Sequence, residues 1–158
     1  MPHPFPAPEN HFLSEHVRLI LDSYRHWTSE DLIPRTADLE TMAERLFNAP
    51  FALASHDAAQ DPLFNYANLK ALEAFGYSWS EWVLLPSRES AEPENREERA
   101  RLLEEVHQQG YSEGYRGIRI GTRGRFEIQS AKVWNLLNAE GAMVGQAASF
   151  PSWRSLTT

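Results

Sequence analysis

Apolar and polar positions alternate along Tyr115-Arg-Gly-Ile118-Arg-Ile120 and again at Phe126 and Ile128, and further apolar runs follow at Val133-Trp-Asn-Leu136 and Gly141-Ala-Met-Val144-Gly-Gln146-Ala-Ala-Ser-Phe150. A period of two marks a strand with one face buried. Gly121-Thr-Arg-Gly124 and Asn138-Ala-Glu-Gly141 separate the runs with glycine-bearing turns of hairpin length. Residues 115–150 therefore predict a three-stranded antiparallel meander on which the upstream segments pack. Upstream, Phe51-Ala-Leu-Ala-Ser-His56 and Leu63-Phe-Asn-Tyr66 read as two short strands joined through turn residues 57–62.

Elsewhere the period lengthens to that of a helix. Leu13, Val17, Ile20, Leu21, Tyr24 and Trp27 fall at i, i+3, i+4 spacing, giving an amphipathic helix from Asn10 onwards. Its apolar face must either fold back on the domain or pair with a second chain. A second helix is predicted from about Ala37 to Asn48 and stopped by Pro50. Asn68 should cap a short helix ended by Gly76, and Ser78 with Glu81 forms a capping box. A long helix is predicted from Pro93 to about Gln109, with a Leu102, Leu103 and Val106 stripe and Gly110 as terminator. Residues 1–9 carry four prolines and read as an extended, poorly ordered arm. The order of elements predicts an α+β fold: a five-stranded antiparallel sheet with helices packed on one face, plus an N-terminal helical extension. The expected division is an arm and amphipathic helix over 1–35 and a sheet domain over 36–158.

Composition narrows the function classes. The chain of 158 residues has a formal net charge of −7, which disfavours nonspecific binding to nucleic acid or anionic membrane. There is no cysteine, which removes disulfides, thiolate nucleophiles, zinc–cysteine sites and cysteinyl-flavin chemistry. Met1-Pro-His-Pro-Phe-Pro-Ala-Pro has no basic region followed by an apolar run, and no apolar stretch approaches the roughly 18 residues of a membrane span. A cytoplasmic protein is expected.

The string from Asn68 to Trp82 after the second strand, with Phe75-Gly-Tyr77 at its centre, resembles the sheet-crossing helix of PAS domains. The chain is more closely similar to a PAS-like subgroup, the MEKHLA domain. The matching strings are Pro50-Phe51-Ala-Leu-Ala-Ser-His56, Phe64-Asn-Tyr-Ala-Asn68, Leu85-Pro-Ser-Arg-Glu-Ser-Ala-Glu92, Tyr115-Arg-Gly-Ile-Arg119, Val133-Trp-Asn135 and Gly145-Gln-Ala-Ala148, in family order over residues 36–153. The resemblance implies a stand-alone relative of the C-terminal domain of plant homeodomain–leucine-zipper regulators, where the domain is thought to sense a signal and control dimerisation. The homeodomain and zipper are absent from these residues, so no DNA-linked function is carried over. The expectation is a sensory and interaction module that binds an unidentified small molecule between sheet and helices, acts as a homodimer or on a signalling partner, and engages neither nucleic acid nor membrane. Two rivals remain: a small cone-like enzyme using a His–carboxylate pair, and a ligand-free dimerisation module. Neither haem nor flavin is indicated by a motif.

Candidate ligand residues follow from placement. Ser55-His56-Asp57 cannot form a hydrolytic triad, because neighbours on a strand point to opposite faces. His56, at a strand end facing the helical layer, is a candidate to hydrogen-bond a ligand; the alternative is a structural hydrogen bond to a loop backbone. Asn65 and Tyr66 point to opposite faces, with Asn65 open to a pocket and Tyr66 suited to the core. Ser87, Arg88 and Ser90 precede a helix N-terminus and suit an anion or carboxylate; otherwise Ser90 caps the helix and Arg88 pairs with a glutamate. Arg96 and Arg99 are expected to face Glu92 or Glu127. His107, four residues after Leu103, is placed on the inward stripe, where an imidazole would meet haem iron; the helix dipole is the alternative account. Trp79, Tyr115 and Trp134 are read as core aromatics that, where packing leaves a void, line an apolar pocket with Asn135 or Gln146 as polar points. The arginines of Tyr115-Arg-Gly117-Ile-Arg119 are read as lying opposite Ile118 and Ile120, facing solvent or a partner. No histidine spacing marks a metal site.

Overall fold

In the computed structural model, which describes residues 2–36 and 38–156, the predicted meander forms as β3 (Tyr111–Gly121), β4 (Gly124–Leu137) and β5 (Met143–Phe150). The two upstream strands are β1 (Ala52–Asp57) and β2 (Phe64–Ala67), and all pairings are antiparallel in the order β2-β1-β5-β4-β3. A sixth strand, β6 (Ser152–Ser155), extends the predicted five. Pro151 interrupts the chain after β5, and the residues beyond it pair with Phe126 to Gln129 of β4, a part of that strand to which β5 does not extend. The fold is α+β.

The helices are α1 (Ser14–Thr28), α2 (Leu39–Phe47), α3 (Leu69–Phe75), α4 (Trp79–Trp82) and α5 (Pro93–Gln109). Asp38 caps α2, Asn68 caps α3, and Ser78 with Glu81 forms the capping box of α4. Ala37, predicted to open the second helix, lies outside the described residues, as does Met1. Ser90 does not cap α5; its hydroxyl donates to the Ser87 carbonyl at 2.7 Å. The turn before α1 is left-handed at His11, Phe12 and Leu13 (φ 56°, 54° and 57°), a conformation costing about 1–2 kcal/mol per residue. Burial of Phe12 and Leu13 offsets it.

Cross-strand register decides what each sheet face carries. Ala54, Ala148 and Val133 form one row, and His56, Gln146 and Asn135 the next, both turned toward α5. Ser55, Ala147 and Trp134 alternate with them on the opposite face. That second face is covered by α1 itself: Val17, Ile20, Leu21 and Tyr24 are buried, Trp134 Nε1 donates to the Ile20 carbonyl, and the Leu137 amide donates to Ser23 Oγ. The amphipathic helix thus folds back on its own domain. The proline-rich arm is also held: Pro6 is fully buried, Trp79 Nε1 donates to the His3 carbonyl, and Phe5 packs edge-on against Phe47 and Trp79. The arm therefore docks over α2 and α4 rather than standing free.

Candidate functional site

Between the sheet and α5 lies a cavity of about 60 Å³. Its walls are mostly apolar: Ala54, Phe75, Leu102, Ile128, Ala148 and Phe150. Helix α5 roofs it because Arg99, Leu102 and Val106 recur at helical spacing and are the residues of that helix buried on the sheet. Polar side chains enter from several elements: His56 from β1, Arg99 from α5, Tyr115 and Arg119 from β3 and Gln146 from β5, with Ser90 also in the lining.

The polarity of β3 is opposite to the sequence expectation. Gly117 and Arg119 are buried, Ile118 and Ile120 are half-buried on the outer face, and Arg116 lies on that outer side, exposed and 3.8 Å from Glu127. The register shifts of β3 against β4 near Tyr115, together with Ser130 at φ 54°, set this phase. Gly117 is needed for space: a Cβ there would stand 2.2 Å from the Tyr115 hydroxyl.

Arg119 spends two of its five guanidinium N–H groups locally, donating to the Ile118 carbonyl at 2.8 Å and to the Tyr115 hydroxyl at 3.1 Å. The Tyr115 hydroxyl in turn donates to Glu98. Arg99 differs. It is only 8% exposed, and among the described residues it has no hydrogen-bond or ion-pair partner. The glutamates expected to face it are engaged elsewhere, Glu92 with Arg125 and Glu127 with Arg116 and Arg154. Burial, reinforced by the Arg119 charge, holds Arg99 down to about 9, so it stays protonated at neutral pH. His56 donates from Nδ1 to the Asp57 carbonyl at 2.8 Å and leaves Nε2 buried with no partner. Burial, with Arg99 nearby, pushes His56 down to about 4, so neutral Nε2 presents a bare lone pair.

The remaining candidates fall into three groups. Gln146 and Asn135 are on the cavity side but spend their amides on each other and on the roof: Gln146 Nε2 donates to Asn135 Oδ1 and to the Leu103 carbonyl, and Asn135 Nδ2 donates to the His107 carbonyl. Ser87 is buried but is not part of the lining, its amide bonded to the Pro62 carbonyl, while Ser90 is a lining residue. Six residues lie away from the cavity. Arg88 is turned outward to Asp61 and Glu89, and His107 sits on the exposed side of α5 because Val106 takes the inward position. Trp134 lies on the α1 face; Tyr66, fully buried, packs there against His16 and Trp79. Trp79 faces the N-terminal arm. Asn65, next to the irregularity in the β1–β2 pairing, turns to Ser55 and accepts its hydroxyl proton at 2.6 Å. Sequence reasoning missed Arg99 and Arg119 as cavity residues. The available signal was Arg99 at i−3 and i−7 from Leu102 and Val106, an arginine on an apolar stripe.

A model of the MEKHLA domain matches residues 14–155, nearly the whole chain. The chain belongs to the MEKHLA domain family. No curated protein sequence matches this MEKHLA domain. Among solved structures it is similar to a PAS domain from Colwellia psychrerythraea, at a TM-score of 0.62 and 18% identity over 75% of this chain and 97% of that one. It is also similar to a light-oxygen-voltage domain studied with a flavin analogue (TM-score 0.57, 20% identity, 69% of this chain and 82% of that chain). The dark-state light-oxygen-voltage domain of the photoreceptor Aureochrome1 gives 0.54 and 19% identity over 80% and 88%. These likenesses show a PAS-like fold for the MEKHLA domain.

Neither flavin nor haem fits the cavity under α5 as this MEKHLA domain packs. About 60 Å³ corresponds to about two waters' share of liquid volume, against ~300–1,000 Å³ for pockets that take drug-sized molecules. His107 also faces away from the cavity. Among the described residues no helix is long and apolar enough to cross a membrane, and no group of three His, Cys, Asp or Glu could hold a metal ion.

Two buried histidines of the MEKHLA domain set an acid sensitivity. His16 on α1 shares a hydrogen bond with Ser55 Oγ at 2.9 Å, and loss of water, with His3 alongside, holds it down to about 3. In the unfolded chain both His16 and His56 titrate near 6.5. Lowering the pH from 6.5 to 5.5 therefore protonates them in the unfolded chain only, and stability falls by about 1 kcal/mol for each. The loss ends as pH reaches the folded values of about 4 and 3. Urea unfolding at the two pH values measures the difference, and His16→Gln should reduce it by about half. A stability unchanged between them would show that neither histidine is held neutral.

Proposed function

We propose that this MEKHLA domain is a sensory and interaction module that takes a small molecule into the cavity under α5 and thereby changes its self-association or its choice of partner. The observation that carries the reading is His56 Nε2, a buried acceptor with no partner inside a mostly apolar cavity. Buried polar atoms are almost always hydrogen-bonded, so an orphan facing a void calls for a ligand group or water.

A route from cavity to surface supports the interaction half. Asn135 is tied by its side chain to the roof helix α5 and by its carbonyl to Trp27 Nε1 of α1, at 2.9 Å. The Asn135 amide bonds to the Gly110 carbonyl, and Gly110 itself must be glycine. It has φ +93°, and a Cβ would stand 2.3 Å from the Trp27 ring. A ligand that shifts α5 thus acts on the end of α1 through one residue. Binding alters the docking of α1 only by favouring one of two arrangements.

The enzyme alternative needs a His–carboxylate pair in one cavity, and no carboxylate is among the residues lining this one. Ser55 with His16 does not replace it, since the Ser55 proton is committed to Asn65 and His16 is left as the donor.

Native mass spectrometry of the protein purified from cell extract tests the reading, with the denatured mass as reference. A reproducible noncovalent mass excess, with a change in oligomeric mass when it is removed, is the expected result. A bare chain, whose oligomeric mass extract metabolites leave unchanged, would overturn it in favour of a ligand-free dimerisation module.

A further inference from the structure

The cavity holds two unmet polar demands of opposite kind. Arg99 offers guanidinium N–H donors with no acceptor, and its charge is uncompensated by any carboxylate in the lining. His56 Nε2 offers an acceptor with no donor. Both line one small volume, and Arg119 brings a second positive charge to it. A ligand answering both needs an anionic group for the guanidiniums and a neutral hydrogen-bond donor for the imidazole. An ammonium donor is disfavoured by the two arginines. Planar carboxylates match guanidinium geometry in bidentate fashion. The apolar walls and the volume of about 60 Å³ then limit the carbon skeleton to a very short chain.

We infer that this cavity is a site for a short hydroxy carboxylate of about glycolate size, its carboxylate on Arg99 and Arg119 and its hydroxyl donated to His56 Nε2. This deepens the sensory reading and rests on it. The anion-binding group expected from the loop at Ser87 and Arg88 is thus supplied instead by α5 and β3.

Calorimetry and thermal unfolding of the full chain at pH 7, with the sodium salts of glycolate and lactate, test the inference. Acetate and propionate lack the hydroxyl, lactamide lacks the charge, and sodium chloride controls for simple anions. Glycolate or lactate should bind and raise the unfolding midpoint, with the matching deoxy acid about tenfold weaker and lactamide silent. Arg99→Met should remove binding, and Ala148→Phe, which fills the cavity with both arginines retained, should remove it independently. The inference is overturned if lactamide matches lactate, if acetate matches glycolate, if chloride reproduces the effect, or if no hydroxy acid binds. The sensory reading survives each of those results provided native mass spectrometry finds another ligand from extract, and fails with the inference if it finds none.

Discussion

Arg99→Met is expected to raise the stability of the ligand-free protein by about 1–4 kcal/mol, the gain seen when buried ion pairs are replaced by well-packed apolar side chains of similar volume. Removing a large charged residue from a protein interior usually destabilises it by orphaning a partner. Here there is no partner to orphan: Arg99 is buried and lines the same mostly apolar cavity as Leu102, Phe75 and Ile128, with Arg119 repelling it. Methionine keeps most of the stem volume and drops the uncompensated charge. At roughly 2–4 °C per kcal/mol for a chain of this size, the unfolding midpoint should rise by several degrees. Equilibrium urea unfolding of the two proteins without added ligand makes the comparison. A loss of more than about 1 kcal/mol would mean that Arg99 holds the fold together and is not held in reserve for a ligand.

The largest loss is expected at Asn68→Ala, about 3–5 kcal/mol. Its fully buried amide makes four hydrogen bonds: Oδ1 accepts from the Ala71 and Leu53 amides, and Nδ2 donates to the Leu46 and Phe51 carbonyls. Alanine removes a helix cap worth about 1 kcal/mol and leaves the Leu53 N–H buried without a partner, at about 1–3 kcal/mol more. The two carbonyls lose a donor as well. Asn68→Ser should recover only the cap, and Asn68→Asp should recover little, since it turns an anionic oxygen toward the Leu46 and Phe51 carbonyls. Thermal unfolding of the three variants checks the order. If serine restored full stability, the bonds to Leu46, Phe51 and Leu53 would contribute nothing.

What was legible in the sequence was whatever local pattern controls. Asn68, Ser78 and Gly76 read correctly because caps and terminators are set by a few adjacent residues. The meander read correctly because its turns carry glycine at hairpin spacing. The two faces of β3 did not, because the register shift and the positive φ at Ser130 fix the phase from across the sheet. Isoleucines at 118 and 120 then appear inward by composition while the strand turns Gly117 and Arg119 in. His107 and Val106 show the same limit on a helix, where one position's rotation decides which residue packs onto the sheet. Asn135 and Gln146 were identifiable as buried polar groups, but their mutual bond is a cross-strand fact. Strand β6 was hidden because four residues after a proline form a strand only where a partner edge is free.

A nitrogen–proton correlation spectrum of the arginine side chains, titrated with glycolate at neutral pH, reports directly on whether the buried guanidiniums hold a ligand. The Nε–H signals of Arg99 and Arg119 should move together and saturate, while that of Arg88, paired outside with Asp61, stays in place. Signals of Arg99 and Arg119 that remain fixed, or that move only as much as Arg88 does, would contradict a ligand held by the buried guanidiniums.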